Sequence, residues 1–418
     1  MSDISVHVAI PCMDELHELP RCLGSLYSQT LKNFDVWVCV NQPQSWWSEE
    51  IGRGICERNL ATIHMLRNYR GLKLHVLDRC SRGRGWSRRK SGVGMARGEI
   101  LRAIEAVTTK KALIVNLDAD TTMDPNYLER VVKIFRDFPE TQGMLVPYYH
   151  HLSGEERMDR AILRYEIYMR IYLISLLKIE SPYAFTALGS ALSFPLGSYL
   201  AVGGFPARAA GEDFYMAQKL RKLGAFCIWG AGPVYPSSRP SSRVPFGTGP
   251  SVRSGAKGRY DSYPLFPFEF FLEIKATEEL FEELFHRDVS TPMDSFFQRV
   301  FGRPDPFKVL RRDHKKPESF IRACHGRLDA LRIFQYLRYK RNLRKDLNDE
   351  EITVSFLNGP LRDFFEFWVS NLHKNTRLTV LAERGWRYDR LPCKVLSELR
   401  DFLFYTECRL REKRFFLK

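Results

Sequence analysis

The 418-residue chain is 44% hydrophobic and 13% aromatic, enough apolar material for a substantial core, which excludes intrinsic disorder. Its 27 Gly and 9 Cys are ordinary usage and exclude collagen-like and disulfide-scaffold classes. The net charge of +15 is uneven: residues 301–418 hold 27 Lys and Arg against 16 Asp and Glu, so an anionic partner and a merely solvated basic surface both stand open for this part.

The first half reads as alternating strands and helices. Residues 6–10 form a short apolar run stopped by Pro11, and 16–29 carry Leu16, Leu19, Leu23 and Leu26 at helical spacing. Strands are expected at 35–40, 72–77 and 112–117, a helix at 126–138 with Pro125 before it, and a fifth strand at 144–147. Near-continuous apolar strands between helices imply a mostly parallel sheet covered on both faces, an α/β class. A long helix follows at 155–179, a strand at 187–194, and a helix at 212–223 closed by Gly224. Residues 233–253 are rich in Pro, Ser, Gly and Arg and read as a long loop, often a functional lid. Beyond about residue 260 the chain turns helical, aromatic and basic, with its clearest helix at 317–344. The domains expected are a catalytic one at 1–258 and a helical extension at 259–418.

No apolar run reaches the roughly 18 to 20 residues of a membrane-spanning helix. Residues 1–10 lack a basic stretch followed by an apolar one, so no signal peptide is expected. The cysteines stand singly, without CxxC pairs, which fits a reducing compartment and no structural zinc.

Two acidic motifs carry the chemistry. Asp118-Ala119-Asp120 ends a buried apolar strand, and open α/β sheets bind ligands at the carboxyl ends of their strands. Two carboxylates there suit Mg²⁺ or Mn²⁺ sharing its shell with phosphate oxygens. Glu212-Asp213 opens a helix, where acids also complement the macrodipole; beside the DxD, a general base becomes the better reading.

These motifs belong to a longer pattern. Val8 to Glu15, with Pro11 and the Asp14-Glu15 end, Arg89 to Glu99, Leu117-Asp118-Ala119-Asp120, the 189–205 segment ending in Gly203-Gly204-Phe205, and Gly211-Glu212-Asp213 stand in order over residues 4–230. In this order the chain resembles a family 2-type glycosyltransferase with a GT-A fold. The resemblance implies sugar transfer from a nucleotide-diphosphate sugar to a hydroxyl acceptor. It implies Pro11, Asp14, Glu15, Arg89, Lys90 and Asp118 as donor-binding, and Asp120 with Asp118 as ligands of Mg²⁺ or Mn²⁺. Asp213 would deprotonate the acceptor, with Glu212 beside it.

The chain also departs from the family. Val40-Asn41-Gln42-Pro43 stands where the family shows Asp-Asp-Gly-Ser, so its base-reading Asp is absent and Asn41 becomes the candidate for the nucleobase edge. Lys90 replaces the family's Asn after Arg89, and no Gln-x-x-Arg-Trp follows the acidic helix, which argues against a processive synthase. Arg79, Arg82, Arg84, Arg88, Arg89 and Lys90 crowd twelve residues, a phosphate site or a solvated basic loop. Arg239 and Arg243, in the loop after the catalytic region, are placed to neutralise a leaving diphosphate, with Gly247 and Gly249 as hinges. Adjacent His150 and His151 point to opposite faces of an extended segment and are not read as metal ligands.

The expected function is therefore inverting, metal-dependent glycosyl transfer in glycan, glycolipid or cell-envelope biosynthesis. The acceptor would be phosphorylated or lipid-linked, and the protein cytoplasmic, with peripheral contact at the inner face of the membrane and no nucleic acid partner. A retaining transferase acting on a small acid such as a glycerate is the enzyme alternative. A non-catalytic module binding an anionic partner is the alternative of another class.

Overall fold

The computed structural model describes residues 4–88, 91–206, 211–240, 247–372, 376–382 and 385–417. The chain divides into two compact units. The first comprises Met1–Ile162, Thr186–Arg253 and Arg411–Lys418, and the second Leu163–Phe185 and Ser254–Leu410.

The first unit begins with β1 (Val6–Cys12), α1 (Leu19–Tyr27), β2 (Asp35–Asn41), α2 (Glu50–Asn68), β3 (Leu74–Arg79), α3 (Val93–Glu105) and β4 (Leu113–Asn116). It continues through β5 (Thr122–Met123), α4 (Tyr127–Asp137), β6 (Gly143–Leu145) and the start of α5 (Glu156–Lys178). Then come β7 (Leu192–Pro195), α6 (Leu196–Ala201), α7 (Glu212–Leu223), β8 (Phe226–Cys227), β9 (Val234–Tyr235) and most of α8 (Thr248–Gly255). The second unit is helical: α9 (Phe268–Glu279), α10 (Phe281–His286), α11 (Asp294–Phe301), α12 (Lys308–Asp313), α13 (Pro317–Arg327), α14 (Ala330–Leu343), α15 (Asp349–Asn358), α16 (Arg362–Phe367) and most of α17 (Cys393–Lys413). β10 (Phe416–Leu417) returns to the first unit.

The main sheet runs β10-β8-β6-β7-β4-β1-β2-β3, and β5 pairs with β9 in a small second sheet. β1 to β4 are mutually parallel, while β7 runs antiparallel between β4 and β6. Val8, Ile10, Val36, Val38, Ile114 and Val115 are buried, as expected for strands with helices on both faces. This mostly parallel sheet wrapped by helices is the α/β class that the sequence predicts. The parallel register sets Ala9 opposite Asn116, so the chain leaves β1 and β4 at the same sheet edge. That end of the sheet receives Asp14-Glu15 after β1 and Asp118-Ala119-Asp120 after β4.

Several elements differ from their sequence expectation. Helix α2 was not apparent, because its hydrophobic positions are interrupted by Arg53, Glu57, Arg58 and Asn59. The helix expected at 317–344 is two helices, broken at Leu328-Asp329, where the Asp329 side chain accepts from the Arg332 amide and caps α14. The strand expected at 187–194 begins only at Leu192, after a 3-10 turn at Gly189–Ala191. The long loop expected at 233–253 contains strand β9 and helix α8.

Candidate active site

At the end of β1, Asp14 adopts a left-handed backbone with φ +61°. Asp tolerates this region because its short side chain bonds locally, and such outliers concentrate at functional sites. Asn59 of α2 accepts from the Asp14 amide at 2.8 Å, and Arg58 grips its carboxylate with Nε at 2.5 Å and Nη2 at 3.1 Å. Asn59 also donates to Gln42 Oε1 at 2.8 Å, which ties the ends of β1 and β2 to α2. Glu15 is buried and accepts from Arg239 Nη2 at 2.6 Å. Burial alone would lower the Arg239 pKa, but the charges of Glu15 and Asp120 more than reverse this. Arg239 thus sits in the field of both donor-side motifs.

Asp118 and Asp120 follow β4, both partly exposed. Arg97 of α3 donates Nη2 to Asp118 Oδ1 at 2.6 Å, and its Nη1 bonds Glu212 Oε1 in the first turn of α7. One guanidinium, 1% exposed, therefore joins the DxD to the acidic helix. Burial pushes the Glu212 carboxyl up to about 7, against the opposing pull of Arg97. Burial also raises Asp213, again opposed by Arg97. Asp213 keeps part of its surface and accepts from the Phe214 amide at 2.7 Å. The α7 start is shaped by glycine: Gly211 precedes it at φ +73°, and Gly203 and Gly204 hold φ +73° and +74° in the turn before Phe205.

The remaining sequence candidates fall as follows. Pro11 lies in β1 opposite Cys39 of β2. Asn41 is buried and donates its amide to the carbonyls of Cys12 and Cys39, at 3.1 and 3.2 Å. Arg89, Lys90 and Arg243 lie outside the described residues. The rest of the basic cluster is engaged within the protein. Arg79 bonds Glu99, Arg84 lies 3.6 Å from Asp78, Arg88 lies 3.8 Å from Glu49, and Arg82 stacks 4.7 Å from the Trp47 ring centroid. Gly247 has φ +103°, while Gly249 belongs to α8. His150 is buried, and His151 is exposed and stacks on Tyr235.

Arg97 is the site residue that sequence reasoning passed over. It stands inside the quoted Arg89 to Glu99 segment, at the variable position of the family's Ala-x-Gly-Glu, so nothing marked it. The one available signal was an Arg in mid-helix at the spacing of the buried Ile100, Leu101 and Ile104 face.

The donor set fits a divalent cation that shares its shell with phosphates. Among the described residues no three or more His, Cys, Asp or Glu side chains converge as a full cage. Asp118 and Asp120 nevertheless offer two hard carboxylates at a strand end, which is what Mg²⁺ commonly takes from a protein when substrate phosphates supply the rest.

Residues 113–253, from β4 through the acidic helix and the following loop, match the model of glycosyl transferase family group 2. Over these residues the chain is similar to family 2-type glycosyltransferases. No curated protein matches the chain significantly in sequence. Among solved structures, S. aureus TarS 1-349 in complex with UDP-GlcNAc is 14% identical, covers 78% of this chain and 92% of its own, and superposes with a TM-score of 0.40. The mannosyltransferase PcManGT from Pyrobaculum calidifontis, in complex with GDP-Man and Mn²⁺, is 17% identical, covers 88% of this chain and 84% of its own, with a TM-score of 0.35. Likeness at this level assigns no residue and no substrate to this chain. No helix among the described residues is long and apolar enough to cross a membrane.

Proposed function

We propose that the protein transfers a sugar, with inversion, from a nucleoside diphosphate sugar to a hydroxyl acceptor in a divalent-metal-dependent reaction. The observation that carries this reading is the proximity of the DxD and the acidic helix, joined through Arg97. The donor's diphosphate would lie at the carboxyl ends of β1 and β4, beside Asp118, Asp120 and Arg239. Asp120, with Asp118, would hold Mg²⁺ or Mn²⁺, which when bound supplies positive charge to the diphosphate as it departs.

Asp213 takes the proton from the acceptor hydroxyl. The hydroxyl oxygen then attacks the anomeric carbon, the bond from that carbon to the diphosphate oxygen breaks, and the electron pair leaves with the diphosphate. Burial, which raises the Asp213 pKa, makes this carboxylate a stronger base than one in water. Arg239 adds a fixed positive charge on the donor side, held in place by Glu15.

The deciding experiment is Asp213→Asn, assayed as release of nucleoside diphosphate from UDP- and GDP-sugars with Mn²⁺. Turnover should fall by about 10²-fold or more while nucleoside diphosphate affinity stays close to wild type. Near-normal turnover would show that Asp213 merely begins a helix.

A further inference from the structure

We propose that Arg97 is a positioning residue of the transfer step: by bridging Asp118 at the end of β4 to Glu212 at the head of α7, it sets the span between the donor side and the acceptor side of the site. The inference rests on the glycosyltransferase reading above and gives Arg97 a role of its own in the transfer step.

Three observations carry it. Arg97 is enclosed in the core, yet its two terminal nitrogens diverge to carboxylates 21 and 115 residues away in sequence. Those carboxylates stand on separate elements, so the bridge fixes α7 against the strand end that carries the DxD. The room for it is made by a glycine. A Cβ built on Gly189 would lie 2.2 Å from Arg97 Nη2 and 2.6 Å from Nη1, so residue 189 packs its bare backbone against the guanidinium. The Phe205 ring, from the Gly-Gly-Phe turn, has its centroid 5.9 Å from the guanidinium carbon. Arg97 Nε is buried with no hydrogen-bond partner among the described residues. Leaving a buried donor unmet is costly, and the guanidinium is held here by its two carboxylates rather than by complete satisfaction of its own donors.

A cation serving only stability could pair with one acid. This one spans the two acids whose separation decides whether Asp213, next to Glu212, faces an acceptor hydroxyl over the donor's anomeric carbon. Misplacement of about 1 Å is enough to cost about 10²-fold in rate.

The test uses the full chain, four single variants (Arg97→Met, Arg97→Lys, Glu212→Gln and Gly189→Ala) and one double variant. Gly189→Ala removes no charged group and displaces only the guanidinium. Folding is read by circular dichroism and melting temperature. Function is read as kcat and donor KM for Mn²⁺-dependent nucleoside diphosphate release from UDP-N-acetylglucosamine and GDP-mannose. Arg97→Met and Gly189→Ala should each lower kcat by about 10- to 100-fold with donor KM within about threefold, and Arg97→Lys should restore part of the loss. The Arg97→Met, Glu212→Gln double variant should lose no more than the worse single one, because both substitutions break the same bridge. Folded variants with wild-type kcat, or fully additive losses, would overturn the inference while leaving the function standing. A wild-type protein that releases no nucleoside diphosphate from any UDP- or GDP-sugar would overturn both.

Discussion

Single residues at the active site act through what surrounds them. Glu212 and Asp213 are adjacent acids in one helical turn, and a solvated turn would leave both ionised at neutral pH. Burial raises both carboxyls and Asp118 adds like charge, while Arg97 supplies an opposing positive charge. Because both acids are raised and interact, they titrate together, and the observable is a property of the pair. A general base works only when ionised, so turnover should decline as pH falls and the pair gains a proton. With both acids raised, that decline should begin above the usual carboxylate range near 4. A pH profile of nucleoside diphosphate release between pH 4 and 9 checks this. A rate still flat at pH 5 would mean that the acids are hydrated when the donor is bound.

At the scale of elements, the sheet is completed from the far end of the chain. β10 adds to the sheet edge by pairing antiparallel with β8, setting Phe416 against Cys227 and Leu417 against Phe226. Just before it, Arg411 is buried and donates Nη1 to the carbonyls of Leu145 and Ile228, at 3.0 and 2.8 Å. Those carbonyls end β6 and follow β8, so one arginine ties two neighbouring strand ends together. Phe138 packs against Phe415 and Phe416 beside the same edge. Arg411→Met should therefore destabilise the protein by about 2–4 kcal/mol, since two buried acceptors lose their donor and Met supplies none. The urea midpoint measures it, and an unchanged midpoint would show that water reaches these carbonyls. In the sequence this region reads as a basic, aromatic tail, because a buried arginine and an exposed one are the same letter.

Over the whole molecule, the charge asymmetry has to be read after pairing. In the helical unit much of the basic charge is spent internally. Arg170 is enclosed between Glu166 and Glu407, and Asp349 receives both Arg164 and Arg341. Arg164 is also stacked 4.4 Å from the Tyr388 ring centroid. Other pairs are exposed, such as Arg344 with Asp346 and Arg387 with Asp389, and exposed pairs hold little energy. The excess that remains, within a net +15, should draw the protein to anionic vesicles only through long-range field. Cosedimentation with phosphatidylserine vesicles should therefore be clear at about 0.01 M salt and largely lost at about 0.15 M, as the Debye length falls from about 30 to about 8 Å. Binding that survives at the higher salt would point to an apolar insertion surface, and none at low salt would remove the lipid surface as a partner.

What the sequence determined by itself was local in origin. Buried strands announce themselves as runs such as Leu113 to Leu117, and the acidic motifs are contiguous letters at the ends of such runs. From these the parallel sheet, the fold class and the placement of Asp118, Asp120, Glu212 and Asp213 at element ends could be read in chain order. What only the tertiary structure decided were partnerships across long separations. Arg97 reaches Glu212 over 115 residues, Arg239 reaches Glu15 over 224, and Arg411 reaches Leu145 over 266. Periodicity reports which face of an element is buried, but it carries no information on which distant element covers that face. The partner of a buried charge is chosen there, and so is its chemistry.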